Sequence, residues 1–134
     1  MNRAARLLRR LADRRLEPLG LSSGHLPVLT ALMENEAMSQ KALTEEAATE
    51  QPTMAATLAR MERDGVIERR PDPQDRRSSL ISLTPATRQK LGALRAAIEG
   101  MNVDTLAGLP EADRQRFRET LLTVIASLER ALGE

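Results

Sequence analysis

The chain contains no cysteine, tryptophan or tyrosine, one phenylalanine and one histidine. Without cysteine there is no disulfide framework, no thiolate nucleophile, no cysteine zinc site and no thiol redox switch. A lone histidine, His25, excludes a multi-histidine metal site within one chain, and no metal is expected. No apolar run approaches the roughly 20 residues that cross a bilayer, so no membrane association is expected. There is no glycine-rich phosphate loop and no pairing of a nucleophile with a base. Glu45 and Glu46 are adjacent, so a helix would not place them on one face. These absences argue against an enzyme, and no cofactor is expected.

What is present is ordinary in bulk and uneven in distribution. The 134 residues suit one compact domain or one protomer of a small oligomer. The net charge is +1, which neither predicts nor excludes nucleic acid. However, of the 20 basic residues all but Lys41 and Lys90 are arginine. Arginine is the side chain of planar, bidentate recognition of phosphate and guanine. Residues 1–15 hold Arg3, Arg6, Arg9, Arg10, Arg14 and Arg15 against one acid, Asp13. Residues 60–77 hold Arg60, Arg63, Arg69, Arg70, Arg76 and Arg77, interleaved with acids. The N-terminal block could flank DNA, line an effector pocket or simply face water. It is also Arg-rich and acid-poor in the manner of a transit peptide. Leu7, Leu8 and Leu11 nevertheless run on into Leu16, Leu19 and Leu21 with no small-residue cleavage site. A first structural helix and a cytoplasmic protein are the expectation.

Periodicity orders the rest. Residues 2–17 read as an amphipathic helix ending near Pro18-Leu19-Gly20. Ser22 or Ser23 can cap a second helix over about residues 23–35, with Leu26, Leu29 and Met33 on one face. Ser39 can cap a short third helix that reaches Ala47. Thr49 can cap a fourth, with Pro52 in its first turn, Met54, Leu58 and Met61 as its core stripe, and Gly65 as its stop. Residues 66–70 and 80–83 are short strand-like segments around the turn-rich Pro71-Asp72-Pro73-Gln74-Asp75, which predicts a β-hairpin. Thr84-Pro85 opens a helix expected to run unbroken to about residue 107, and a last helix spans about 110–132. The outer helices carry apolar stripes wider than one protomer can cover, which predicts a homodimer.

Two short helices around a tight turn near Ala48, followed by a hairpin, make a winged helix-turn-helix. The second helix must expose a polar face to enter a major groove about 12 Å wide. That face presents Glu50 or Gln51, Thr53, Thr57 and Arg60, where glutamine suits adenine, threonine a base or its methyl, and arginine guanine or phosphate. Arg76 and Arg77 sit at the hairpin tip, where a narrow minor groove attracts arginine. Asp75 can hold one of these guanidiniums bidentately and so fix the tip before DNA arrives.

The ordered set Ser39-Gln40-Lys41-Ala42-Leu43, Glu50-Gln51-Pro52-Thr53-Met54, residues 58–69, Asp72-Pro73-Gln74-Asp75-Arg76-Arg77 and Leu83-Thr84-Pro85 resembles the MarR (multiple antibiotic resistance regulator) family. The resemblance implies a mainly α fold with a small β wing. Residues 21–84 would form the DNA-binding lobe, and residues 1–20 and 85–134 the dimerisation region. It implies a homodimer on a pseudo-palindromic operator of double-stranded DNA, usually as a repressor, released by a small anionic or aromatic effector. The family's wing Asp-x-Arg falls on Asp75 and Arg77. Ser39, Gln40, Gln51, Pro52, Thr53, Thr57, Arg60, Asp75, Arg76 and Arg77 are then the candidate DNA-binding residues. Arg15, His25 and Leu29 are the candidates for an effector pocket, although a histidine at a helix start can equally make a local hydrogen bond. Ala56 departs from the family, whose members often carry a polar residue there. A helical protein-interaction module on the same scaffold is the alternative.

Overall fold

The computed structural model describes residues 1–134. Seven α-helices and three short strands follow one another as α1 (Asn2–Leu16), α2 (Leu26–Glu34), β1 (Met38–Ser39), α3 (Gln40–Glu46), α4 (Gln51–Arg63), β2 (Ile67–Pro71), β3 (Ser79–Leu83), α5 (Pro85–Gln89), α6 (Leu91–Leu106) and α7 (Glu111–Leu132). Short 3₁₀ turns, Glu17–Leu19 and Ser23–His25, join α1 to α2. The chain forms two compact units, Met1–Ile98 and Glu99–Glu134.

The core of the first unit is aliphatic, as the shortage of aromatics requires. Leu16, Leu29, Leu43, Leu58, Met61, Ile81 and Leu94 have no exposed surface. Each such side chain removed from water contributes roughly 1.5–3 kcal/mol. Asp13 Oδ1 accepts from the Ser23 N–H at 2.7 Å and ties α1 to the turn before α2. That bond holds the Asp13 carboxyl below the usual carboxylate range.

Local signals set several boundaries. Ser39 Oγ caps α3 by accepting from the Ala42 N–H at 3.1 Å. Thr84 Oγ1 caps α5 by accepting from the Thr87 N–H at 3.3 Å. Gly65, at φ +72°, ends α4 in the left-handed region that glycine enters without strain.

Three expectations need correction. Thr49 does not cap α4: Glu50 occupies the cap position and makes no side-chain bond. The cause lies in the preceding turn. Thr49 donates its N–H back to the Thr44 carbonyl at 3.2 Å, closing the end of α3 around Ala48 at φ +46°. Thr49 therefore still belongs to the earlier helix terminus.

The long helix after Thr84 is also interrupted, at Lys90. The Lys90 N–H bonds to the Thr87 carbonyl, three residues back. Its Nζ donates to the Leu19 carbonyl at 3.0 Å. Meanwhile Thr87 Oγ1 donates to the Val66 carbonyl at 2.8 Å. The short α5 is thus pinned to the α4–β2 turn, and α6 starts anew.

The hairpin gains a third strand. Met38 pairs with Ile81 and Ser39 with Leu80, giving an antiparallel sheet in the order β1-β3-β2. In β2 and β3, Ile67 faces Leu83 and Arg69 faces Ile81.

In the second unit, α7 follows Pro110 and ends at Gly133, φ +77°. Arg114 Nε donates to the Leu109 carbonyl at 3.2 Å and secures the start of α7. No residue of α7 is buried. Phe117, Leu121, Ile125 and Leu128 are 41–52% exposed on one face.

Candidate nucleic-acid interface

The candidate residues come from α3, α4 and the wing. On α4, Met54, Leu58 and Met61 turn inward and are buried. Gln51, Pro52, Thr53, Ala56 and Arg60 are exposed, as the 3.6-residue period demands. Thr57 is half-buried. With Thr53 it lines a cavity of about 230 Å³ against Gly24, Pro27, Val28 and the α3–α4 turn. Thr53 and Thr57 therefore lie on the side of α4 that meets the start of α2. Ser39 is half-buried, and its hydroxyl is engaged as the α3 cap.

The wing loop spans residues 72–78. Asp72 Oδ1 accepts from the Gln74 N–H at 2.9 Å, and the Asp72 N–H donates to the Ser78 carbonyl at 3.2 Å. Asp75 Oδ1 accepts from the Arg77 N–H at 3.0 Å. This corrects the expectation that Asp75 grips a guanidinium. A carboxylate two residues before a main-chain N–H closes an Asx turn locally, without ordering a long flexible side chain. Arg76 and Arg77 are consequently exposed, with both guanidiniums unengaged by any acid. Together with Arg69 and Arg70 they line an open depression that also includes Ser78 and Ser79. Arg69 is paired with Glu62, so Arg70, Arg76 and Arg77 supply the positive charge that makes the concavity attractive to anions.

Arg69 and Glu62 lie within the family-like stretch 58–69, but neither is among the candidate site residues. Arg69 Nε meets Glu62 Oε2 at 2.6 Å, joining β2 to the last turn of α4. Arg69 Nη1 lies 3.5 Å from Gln40 Oε1 at the start of α3. Gln40 Nε2 in turn donates to Gln51 Oε1 at 3.3 Å. The alternation of charges along residues 60–77 was visible. The pairing across seven residues and two elements was not.

The three residues suggested for an effector pocket are differently placed. Arg15 is exposed on α1, and Leu29 is fully buried in α2. His25 is half-buried, and its Nδ1 accepts from the Ser22 N–H at 3.2 Å. The local bond at a helix start is therefore present. Burial pushes the His25 imidazolium pKa down and the Arg60 charge adds to this, while Asp64 opposes it. A histidine with a lowered native pKa binds fewer protons folded than unfolded, so stability is lost as pH falls below about 6.5. Protonation would also remove the Nδ1 lone pair that Ser22 uses. Because His25 is the single histidine, the urea midpoint should fall between about pH 7.5 and pH 5.5 in the wild type and stay nearly level in His25→Gln. Equal slopes in both proteins would refute this assignment.

Comparison with known proteins agrees with this geometry. The MarR family profile matches residues 21–79. The uncharacterized HTH-type transcriptional regulator YwoH of Bacillus subtilis (strain 168) is 31% identical over 117 residues, covering 87% of this chain and 85% of YwoH. A probable transcriptional regulator from Pseudomonas aeruginosa superposes with a TM-score of 0.83 at 28% identity, over 92% of both chains. BpsR of Bordetella bronchiseptica, whose DNA binding is regulated by 6-hydroxynicotinic acid, superposes with a TM-score of 0.81 at 24% identity, over 92% of this chain and 88% of BpsR. The chain belongs to the MarR family of transcriptional regulators.

Proposed function

We propose that this regulator is a homodimeric, cytoplasmic repressor that reads a pseudo-palindromic operator and releases it when a small anionic or aromatic molecule binds. The observation that carries the reading is the pair of exposed, unengaged guanidiniums at a wing tip whose backbone is already ordered. A monomer core has no use for two free arginines on a preformed tip. A DNA groove does. Gln51, Thr53, Thr57 and Arg60 on α4 supply base and phosphate contacts, with Ser39, Gln40 and Pro52 shaping the entry of α3 and α4 to the groove. Asp75 sets the tip, and Arg76 and Arg77 occupy the adjoining groove.

The lobe 21–84 reads DNA in this scheme, and residues 1–20 and 85–134 join the protomers. The uncovered apolar face of α7 supports that division. Half-sites about 34 Å apart then require a dimer of fixed spacing. An effector that prefers a differently spaced dimer lowers operator affinity by population shift. The anionic group of such an effector suits the exposed Arg15, while His25 and Leu29, half-buried and fully buried, are the other residues assigned to its recognition. BpsR's response to 6-hydroxynicotinic acid supports that ligand class.

Fluorescence anisotropy on the gene's own upstream DNA against a scrambled duplex, as a salt series, tests the reading. The expected result is one dimer per site, sequence preference, and log K falling steeply with log salt. Replacing Thr53 and Thr57 by alanine should then relax sequence preference by about 5- to 100-fold per position while non-specific affinity changes little. Weak, equal binding on both duplexes and on a selected genomic fragment library would overturn it.

A further inference from the structure

Four side chains from three elements form one directed hydrogen-bond chain at the face of α4. Glu62, in the last turn of α4, takes the Arg69 Nε–H at 2.6 Å. Arg69 Nη1 reaches Gln40 Oε1 at 3.5 Å. Gln40 Nε2 reaches Gln51 Oε1 at 3.3 Å. Thr44 Oγ1 stands 3.5 Å from that same oxygen and is itself held to the Gln40 carbonyl at 2.7 Å.

Chemistry gives this chain a sense. A guanidinium donates and never accepts. The amide atom of Gln40 that faces Arg69 must therefore be its oxygen. Its NH₂ group is then left to face Gln51, and only an oxygen can receive it. Gln51 is thereby turned oxygen inward, between Gln40 and Thr44. Its NH₂ group is the end left to solvent on an exposed residue at the first position of α4.

We propose that Gln51 is a donor-only reader, and that the Glu62–Arg69–Gln40 relay makes this position select guanine rather than adenine. A glutamine that reads adenine needs both ends on one edge, with oxygen accepting from N6 and nitrogen donating to N7. Here the oxygen is turned toward Gln40, which donates to it at 3.3 Å, and the NH₂ is the end that remains for a base edge. Guanine offers N7 and O6 in the major groove, both acceptors, and matches an amide that presents hydrogens alone. Arg69, Glu62 and Gln40 are positioning residues in this scheme, because they act through Gln51. The inference rests on the reading that α4 enters a DNA groove, and the test below separates the two.

The experiment is selection from a randomised duplex library with the full-length wild type, Gln51→Ala, Gln40→Ala and Arg69→Met, each checked by circular dichroism for its fold. The wild type should enrich guanine at one position of each half-site. Gln51→Ala should erase that preference, worth about 5- to 100-fold, at that position alone. Gln40→Ala and Arg69→Met, which free the Gln51 oxygen by two routes, should each raise adenine at least tenfold relative to guanine there. A wild-type site with adenine at the Gln51-dependent position overturns the proposal and leaves DNA reading intact. So does a guanine preference unmoved by both releasing variants, or the absence of any Gln51-dependent position. A library with no enriched sequence at all overturns both readings.

Discussion

Replacing Arg76 and Arg77 together with alanine should raise the operator dissociation constant by at least about 100-fold while leaving dimerisation and melting temperature unchanged. The tip does not depend on either guanidinium for its shape. Asp72 and Asp75 hold the main chain of Gln74 and Arg77, and the Ser78 N–H returns to the Asp75 carbonyl at 3.0 Å. Exposed substitutions that touch no such bond change stability by about 0.5 kcal/mol or less. What would be lost is charge at the point proposed to meet DNA. Each phosphate-neutralising cation contributes about 0.9 to the slope of log K against log salt. A dimer with two wings would lose four such groups, so the slope should flatten by about 3 to 4. Anisotropy over a salt series reads both quantities. An unchanged affinity, with the fold intact by circular dichroism, would remove the wing from the interface.

The second large effect belongs to α7. Leu121→Glu with Ile125→Glu should convert the protein to a monomer near its chain mass of 14.8 kDa. The two positions sit mid-face in a stripe with Phe117, Leu128 and Leu132, all exposed in the protomer. Their spacing of about four residues keeps them on one side of the helix. Burying that side against a second copy removes apolar surface from water at roughly 25 cal/mol per Å². Two carboxylates in the middle of such a contact would each have to be desolvated unpaired, at a cost of several kcal/mol. Helix content should be retained, because glutamate is a good helix former and neither position is buried in the protomer. Light scattering after size exclusion gives the mass, and anisotropy should show operator affinity falling with it. A double variant that keeps the dimer mass would place the interface elsewhere.

The winged helix-turn-helix was legible because its signals are local. Ser39 and Thr84 each cap a bond that closes within three residues. Gly65 ends α4 through its own backbone preference. The stripe Met54, Leu58 and Met61 is a matter of period alone, and all three are buried. The wing was legible through turn formers and a clustered charge.

The misreadings share a cause. Thr49 is as good a cap by type as Ser39, yet the turn around Ala48 takes its N–H back to Thr44. Nothing in the Leu91, Leu94, Ile98 and Met101 stripe marks the break at Lys90, because that break comes from Thr87 reaching Val66 and Lys90 reaching Leu19. A two-residue strand such as β1 carries no periodicity to detect.

Side-chain type and spacing were enough for the helix-turn-helix and its hairpin, for the inward faces of their helices, for the absence of cysteine chemistry and for the positive charge at the wing tip. All of these depend on side-chain type and on spacing within about one turn. Tertiary structure alone decided that Asp75 serves the main chain and that Gln40, Gln51, Glu62 and Arg69 form one relay. It also decided where the helix after Thr84 breaks, through Thr87 on Val66 and Lys90 on Leu19. These depend on distances between elements that lie far apart in the chain, and such distances exist only once the core has brought the elements together.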